Sequence, residues 1–482
     1  MSLIKKNFLY NLALTISTII FPIVTFPYAS RILGPEGIGK VQFVTSFGQY
    51  FVLIAALGIP VYGVREVAKL RHHSIKLKQF FTEMVMLNFI TSVLFLSVYL
   101  VLVINIKSLY KDFDFYLVAT LMVLLGFCNI DWFFSGLERF KFIAIRSLLI
   151  KSIALIALFI LVKQKSDDIY FLWITIGTMV LNNIWNIWSA RSYLNLGLIR
   201  KISLKKHVKP LIYIFSTVAA ISVYAFLDTV ILGFLKGYTD VGYYTAASKI
   251  NKITIPVLTS LGVVLIPQIS QAFKSKNMEE VQRLAKYSFD FVIFLGIPMT
   301  CGLIALAPEL IIMFSGEDFS NAILPMQIFA PVVLIIGLSN VWAIQILTPA
   351  GRDRQVTISV AIGVVVSLVL NFALIPHFAY LGAAVANVLS ELAVMCGFAY
   401  FSSFVIQRLF NYKLIIKTTL ISLTFIPITY ILRHFLVSNH LVICLLSVPL
   451  CGVVYSAVQY FIVKNELMII QIANVRNKFL NK

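Results

Sequence analysis

In a chain that is 60% hydrophobic and only 12% charged, chemistry must fall to the few polar and ionisable residues set within apolar runs. Asn7, Asn11, Thr15 and Thr18 are spaced by four, four and three, which puts them on one face of a helix. Gln42, Thr45, Ser46 and Gln49 repeat the pattern, as do Asn182, Asn186 and Ser189, and then Asn387 and Glu391. A polar face inside hydrocarbon must look at protein or at water. Such stripes serve either helix-to-helix hydrogen bonds, worth about 0.6 kcal/mol each, or a hydrated cavity that lets a polar solute pass. Their recurrence on several helices favours the cavity.

Charge inside a span costs roughly 2.5 to 3.5 kcal/mol on insertion scales, so intramembrane ionisable residues mark function by default. Asp228, in the seventh apolar span, is placed either to pair with Lys249 or Lys252 in the eighth or to bind a coupling cation or proton. Lys249 and Lys252 share a helix face, and Arg31 and Lys40 hold the matching place after the first span. These four cations suit the oxygens of a diphosphate. The alternative is snorkelling to headgroups, which is the stronger reading for Lys40. Glu138 and Arg139, and Asp353 and Arg354, recur between the fourth and fifth spans of each half, as an inner gate or as headgroup anchors.

The elements that position these residues are membrane helices. A mean hydropathy of +0.92 excludes a soluble domain, and fourteen apolar spans fit between residues 8 and 463, each near the 20 residues that cross a bilayer. The first span, followed by Arg31, reads as a retained anchor rather than a cleaved signal. Ile32-Leu33-Gly34 returns as Ile231-Leu232-Gly233, Ile38-Gly39 as Val241-Gly242, Leu57-Gly58 as Leu261-Gly262, and Gly136 to Arg139 as Gly351 to Arg354. A six-span unit has been duplicated, and six is even, so the copies are parallel repeats with the substrate site expected between them. The expected organisation is a first bundle at 1–200, a second at 201–412 and a terminal helix pair with its tail at 413–482. Arg191 to Lys209 reads as an amphipathic surface helix joining the bundles.

The net charge of +20 is a topology signal. Three quarters of the 40 Lys and Arg fall on the side of the N-terminus, which makes both termini cytoplasmic. Membrane lipid, not nucleic acid, is therefore the expected surface partner, with Lys201, Lys205, Lys206 and Lys209 as headgroup candidates. Cys128, Cys301, Cys396, Cys444 and Cys451 all lie in apolar spans without a CxxC pair, and the six His form no ligand spacing. No metal site and no cofactor is implied. Prolines at 22, 27, 256, 267 and 427 kink their spans, with Pro22 and Pro27 the better hinge candidates.

The same landmarks resemble the polysaccharide, O-antigen type flippases of the multidrug/oligosaccharidyl-lipid/polysaccharide exporter superfamily. The run Arg31-Ile32-Leu33-Gly34-Pro35-Glu36-Gly37-Ile38-Gly39 is similar to that family's signature. So are Leu57-Gly58-Ile59 with Arg65-Glu66, Asp131-Trp132-Phe133-Phe134 with Gly136-Leu137-Glu138, and Asp228 to Gly233 with Gly242-Tyr243-Tyr244. The resemblance covers about residues 1 to 460. It implies an undecaprenyl-diphosphate-linked oligosaccharide moved across the bacterial inner membrane by alternating access. It also implies a transporter and not an enzyme, with a coupling proton or sodium ion and the polysaccharide polymerase machinery as further partners. The related peptidoglycan-precursor flippases carry an arginine at the place of Thr25, which argues against that substrate. The rival readings are an ion-coupled multidrug or toxin exporter of the same superfamily, for which twelve spans suffice, and a membrane polymerase or ligase, which the short outer loops disfavour.

Overall fold

The computed structural model describes residues 3–195, 197, 203–406, 411–435 and 440–463, with side chains at all of these except 3–9, 11, 12, 216–225, 406 and 462. The described residues form helices and turns, with no strand among them. That is the expected all-α architecture, because a helix satisfies every backbone polar group within one segment where no water is at hand.

Two compact units divide the chain, Met1–Gly242 and Tyr243–Lys482. Unit 1 holds α1 (Leu3–Ala56), α2 (Ile59–Leu70), α3 (Ser74–Asn105), α4 (Lys107–Tyr110), α5 (Phe113–Leu124), α6 (Asp131–Gly136), α7 (Phe140–Leu161), α8 (Asp168–Ala190) and α9 (Lys205–Lys236). Helix α10 (Tyr238–Lys274) starts in unit 1 and continues into unit 2. There follow α11 (Met278–Ala305), α12 (Ala307–Ser315), α13 (Ile323–Asn340), α14 (Asp353–Phe401), α15 (Ser403–Ile406), α16 (Tyr412–Leu423), α17 (Phe425–Phe435) and α18 (His440–Val458).

Ten stretches of the described residues are long and apolar enough to cross a membrane. Two of them, Ala13–Ala56 with 44 residues and Asp353–Phe401 with 49, are each long enough for two spans. Each is broken midway by a non-helical residue, Gly34 and Ala379 respectively. Helices α8 (23 residues) and α9 (32 residues) are not among those ten but are also of spanning length, at the places of the sixth and seventh expected spans. The surface is what lipid requires. Ile153, Ile156 and Ile160 of α7 and Val365, Val369 and Phe372 of α14 are exposed at helical spacing. The interior instead holds small polar side chains, including Ser30, Ser46, Ser92, Ser359, Ser367 and Ser390. Small residues let membrane helices approach closely. In α14, Ser359 lies against Gly397 and Gly363 against Val394, joining the two halves of that helix. In unit 1, α1 is the hub, packed against α3, α5, α7, α8 and α9. In unit 2, α11 and α14 flank α13, and α16, α17 and α18 pack on α11 and α12.

The backbone sets the register of the duplication. Gly34 breaks α1 at φ 69°, ψ −177°, and Gly237 separates α9 from α10 at φ 97°, ψ −174°. Only glycine adopts this conformation readily, so the two are equivalent, 203 positions apart. The likeness of Gly34 to Gly233 is a local echo, and the true partner lies four residues later. At the same separation the two landmarks touch each other within unit 1. A Cβ on Gly39 would run into the Tyr238 carbonyl, and one on Gly242 into the Pro35 carbonyl, so each contact is the other with the repeats exchanged. Later in the chain Glu138 (φ 59°) matches Gly351 (φ 70°), and Arg139 and Arg352 are the N-caps of α7 and α14. The equivalence there is 213 positions, not the 215 that the sequence motif suggests.

Candidate functional site

In unit 1 the connections fall on two faces. On the first, Lys40 forms an ion pair with Asp112 at 2.7 Å and approaches Asp168 at 3.9 Å. Its ammonium also sits 3.7 Å from the centre of the Phe115 ring, and Tyr238 donates its hydroxyl to Asp112 Oδ2 at 2.8 Å. Lys40 thus ties together the turns after the first, third and fifth spans, and Asp112 extends the link to the turn after the seventh. Lys40 is not a lone cation held out to headgroups; only 17% of its side chain is exposed, and both acids that reach it are about as covered. Burial pushes the Asp168 carboxyl up from its ordinary value, against the pull of the Lys40 ammonium. Beside it, backbone N–H groups of Lys163 and Gln164 hold the Asp167 carboxyl below its ordinary value. A cavity of about 290 Å³ opens at this face between Asp112, Lys111, Lys236 and Tyr238.

Unit 2 solves the same problem with rings. Tyr243 stands 203 positions after Lys40 and packs on Tyr380 at 5.3 Å and Phe319 at 6.3 Å between ring centres. The first unit closes with charges at this position, and in the second Tyr243 meets aromatic edges.

On the opposite face, Glu138 bonds Arg71 at 2.6 Å, and Arg139 donates to the Tyr193 hydroxyl at 3.3 Å. Its structural equivalent Arg352 donates to the Phe401 carbonyl at 3.1 Å and lies 3.8 Å over the Phe404 ring. In each repeat, the arginine at the start of the fifth span fastens the end of the sixth. Asp353 and Arg354 are exposed, and no ion pair joins either of them to another described residue. The four expected gate residues therefore include two anchored ones, Glu138 and Arg139, and two that reach into solvent. Further along, Glu83 is 1% exposed and accepts from Lys206 Nζ and His207 Nε2, each at 2.9 Å. His207 in turn bonds the Tyr62 hydroxyl at 2.9 Å.

The residues that the sequence misses are buried ion pairs. Arg146, 2% exposed, donates from Nη2 to Asp131 at 2.7 Å, from Nε to Asn182 at 3.0 Å, and to Asn186. Asn186 also donates to Asp131 at 2.9 Å. The polar stripe of the sixth span thus serves Arg146, and for that stripe helix-to-helix bonding replaces the expected cavity. Lys151, one turn and a half further on in α7, donates to Ser17 at 3.1 Å. In unit 2, Arg433 of α17 holds Glu309 of α12 at 2.5 and 2.6 Å and donates to the Ala305 carbonyl at 2.5 Å. Opposite charges inside apolar spans were the available signal, since each demands a partner.

The remaining candidates fall in both units. Asp228 is 4% exposed and lies in unit 1. Lys249, half-buried, and Lys252, exposed, lie in unit 2 with half-buried Glu391. Thr15 and Arg31 are exposed and Gln49 is half-buried. Asn11, like Asn7, lies outside the described side chains. Of the surface helix expected across residues 191–209, residues 196 and 198–202 lie outside the described residues, while Arg191–Tyr193 form one short turn, 194, 195 and 203 are not helical, and 205–209 are the first residues of α9 rather than of a separate surface helix. Thr25 donates its hydroxyl to the Phe21 carbonyl of its own helix at 2.9 Å. No group of His, Cys, Asp and Glu suited to a metal ion occurs among the described residues.

Comparison with known proteins agrees with this architecture. The family model described as "Polysaccharide biosynthesis protein" matches residues 4–273, and the model MatE matches residues 214–373. The chain is 25% identical over 404 residues to the "Putative O-antigen transporter" of Escherichia coli (strain K12), covering 81% of this chain and 94% of that one. It is 28% identical over 179 residues to the "Lipid II flippase MurJ" of Bacillus subtilis (strain 168), covering 36% of this chain and 32% of that one. Its fold is that of a solved lipid II flippase MurJ in an inward closed conformation, with a TM-score of 0.74 at 14% identity, covering 95% of this chain and 100% of that one. An inward-facing multidrug resistance MATE transporter gives a TM-score of 0.62 at 14% identity and covers 80% of this chain and 94% of that one. These relatives are transporters, not enzymes. With more than half of its length matched by one family and a duplicated, multi-pass helical fold, the chain belongs to the polysaccharide biosynthesis protein family and is a membrane transporter.

Proposed function

We propose that this protein is a flippase for lipid-linked oligosaccharides in the bacterial inner membrane. It moves undecaprenyl-diphosphate-linked repeat units from the cytoplasmic to the outer leaflet by alternating access. The observation that carries the reading is the likeness to the O-antigen transporter over 94% of that relative's length. The physical need is plain, because a charged, sugar-bearing headgroup cannot cross about 30 Å of hydrocarbon unaided. In this reading Arg31, Lys249 and Lys252 meet the diphosphate, Asp228 and Glu391 belong to the transport path, and Asn11, Thr15 and Gln49 line it. Lys40 leaves this group, since its charge is already met by Asp112 and Asp168. The product is O-antigen or another surface polysaccharide.

Deleting the gene should cause an undecaprenyl-diphosphate-linked glycan to accumulate on the cytoplasmic leaflet, and the wild-type chain should clear it. The variant Lys249→Gln/Lys252→Gln should restore clearance at least several-fold less well. Full clearance by that variant removes both lysines from the path. The MatE match keeps the exporter reading as the rival. Cation efflux with no glycan accumulation would favour it.

We also propose that both termini are cytoplasmic, on the strength of the Lys and Arg distribution. Cysteines at Lys107 and Lys165 should react with an impermeant thiol reagent added outside spheroplasts, while cysteines at Lys76 and Lys205 should not. The reversed pattern inverts the orientation.

A further inference from the structure

Where α7 and α8 meet the membrane surface, unit 1 carries a recess of about 330 Å³ lined by Arg139, Lys141, Phe142, Ile145, Arg146 and Trp185. Arg139 and Lys141 flank the first residue of α7, at the boundary of a 22-residue apolar span, and both are exposed. Arg146 is turned inward to Asp131 and the two asparagines, so its charge is already met. Arg139 and Lys141 are not so placed. Arg139 donates only to the neutral Tyr193 hydroxyl, and among the described residues no carboxylate forms an ion pair with either cation. The nearest acid in sequence, Glu138, is held by Arg71. A third cation of this face, Arg191, lies 5.1 Å over the Trp188 ring. Below the rim the wall is apolar. Ile145 is 44% exposed, and Leu149 of α7 and Leu181 and Ile184 of α8 continue the exposed surface along the span.

We infer that this recess binds an anionic phospholipid of the adjacent leaflet, with its phosphate between Arg139 and Lys141 and its upper acyl chain along Phe142, Ile145 and Trp185. Charge complementarity carries the choice of occupant. Basic pockets between membrane helices suit anionic headgroups, and each surface Lys or Arg enriches such lipids about fivefold. A soluble anion would meet the two cations but leave the apolar wall uncovered. A zwitterionic lipid would cover the wall but gain little from the cations. The recess is at the small end of ligand-site volumes, enough for a headgroup and the first methylenes while the tails remain in the bilayer. The inference does not rest on the glycan-lipid reading and holds whether or not that reading does.

Trp185 supplies the probe. The full-length protein is placed in phosphatidylcholine vesicles with a small fraction of phosphatidylglycerol, and either lipid is supplied with brominated acyl chains, which quench nearby tryptophan. The Trp185 signal is the part of the fluorescence lost in Trp185→Phe. At equal brominated fraction, phosphatidylglycerol should quench that signal several-fold more than phosphatidylcholine. Arg139→Gln/Lys141→Gln should bring the two lipids level, while Lys107→Gln/Lys111→Gln, on the opposite face, should leave the preference intact. Equal quenching of the wild-type protein by both lipids overturns the proposal. So does a preference that survives loss of both cations, or one lost equally with the lysines of the other face.

Discussion

Arg433→Ala is expected to destabilise unit 2 by about 3 to 5 kcal/mol, the usual penalty for removing one partner of a buried ion pair. The cost comes less from the lost attraction than from what is left behind. Glu309 is 2% exposed, and both of its carboxylate oxygens bond the guanidinium. Without Arg433 the carboxylate must stay charged in an apolar setting or take up a proton. The substitution also frees the Ala305 carbonyl at the end of α11. Around this pair the terminal helices otherwise rest on apolar packing of Phe294, Ile421, Phe425, Cys451 and Tyr455 and on the Tyr455 bond to the Phe294 carbonyl at 2.6 Å. The midpoint of thermal unfolding in detergent should fall by roughly 10 °C, at the 2 to 4 °C per kcal/mol typical of a domain this size. Protease should cut the terminal helices earlier than the rest. Glu309→Leu/Arg433→Met should recover most of the loss, since an apolar pair of similar volume is often neutral or better. If Arg433→Ala melts as the wild type does, the pair holds nothing in place.

The second large effect is expected at Asp131. Arginine keeps its charge under all accessible conditions, so Asp131→Ala strands the buried Arg146 guanidinium with only the Asn182 and Asn186 carbonyls and the Phe142 ring beside it. A loss of about 3 kcal/mol is expected, at the lower end of the range for a broken buried pair, because the Asp131 side chain is 46% exposed and water can enter where it stood. Asp131→Asn should fall between, keeping an acceptor but not the countercharge. Asp131→Ala/Arg146→Met should be more stable than Asp131→Ala alone, although it leaves the two asparagines to pair with each other. Unfolding midpoints of the four proteins check the order, and a double variant worse than the single one would refute the stranded-charge account.

How much of this was legible beforehand follows the reach of each interaction. Hydropathy is a local property, so fourteen spans, the all-helical class and the duplication could be read along the chain. The register of the repeat could not, because an aliphatic residue followed by glycine recurs freely in apolar sequence. The echo of Gly34 at Gly233 misleads, while the shared backbone conformation of Gly34 and Gly237 fixes the equivalence.

Partnership was the other hidden quantity. Lys40 had been expected to reach for headgroups, and it is instead enclosed by Asp112 and Asp168, which come from turns 72 and 128 positions away. Asn182 and Asn186 form a clean helical stripe, yet nothing along the chain tells a stripe facing water from one facing a guanidinium on the neighbouring helix. By itself the sequence determined where the chain crosses the membrane and that it does so as two copies of one unit. Those depend on the free energy of each segment in lipid. Only the tertiary structure decided which charges neutralise one another, because a buried charge takes its partner by distance in space, and helix packing alone brings Arg146 to Asp131 and Arg433 to Glu309.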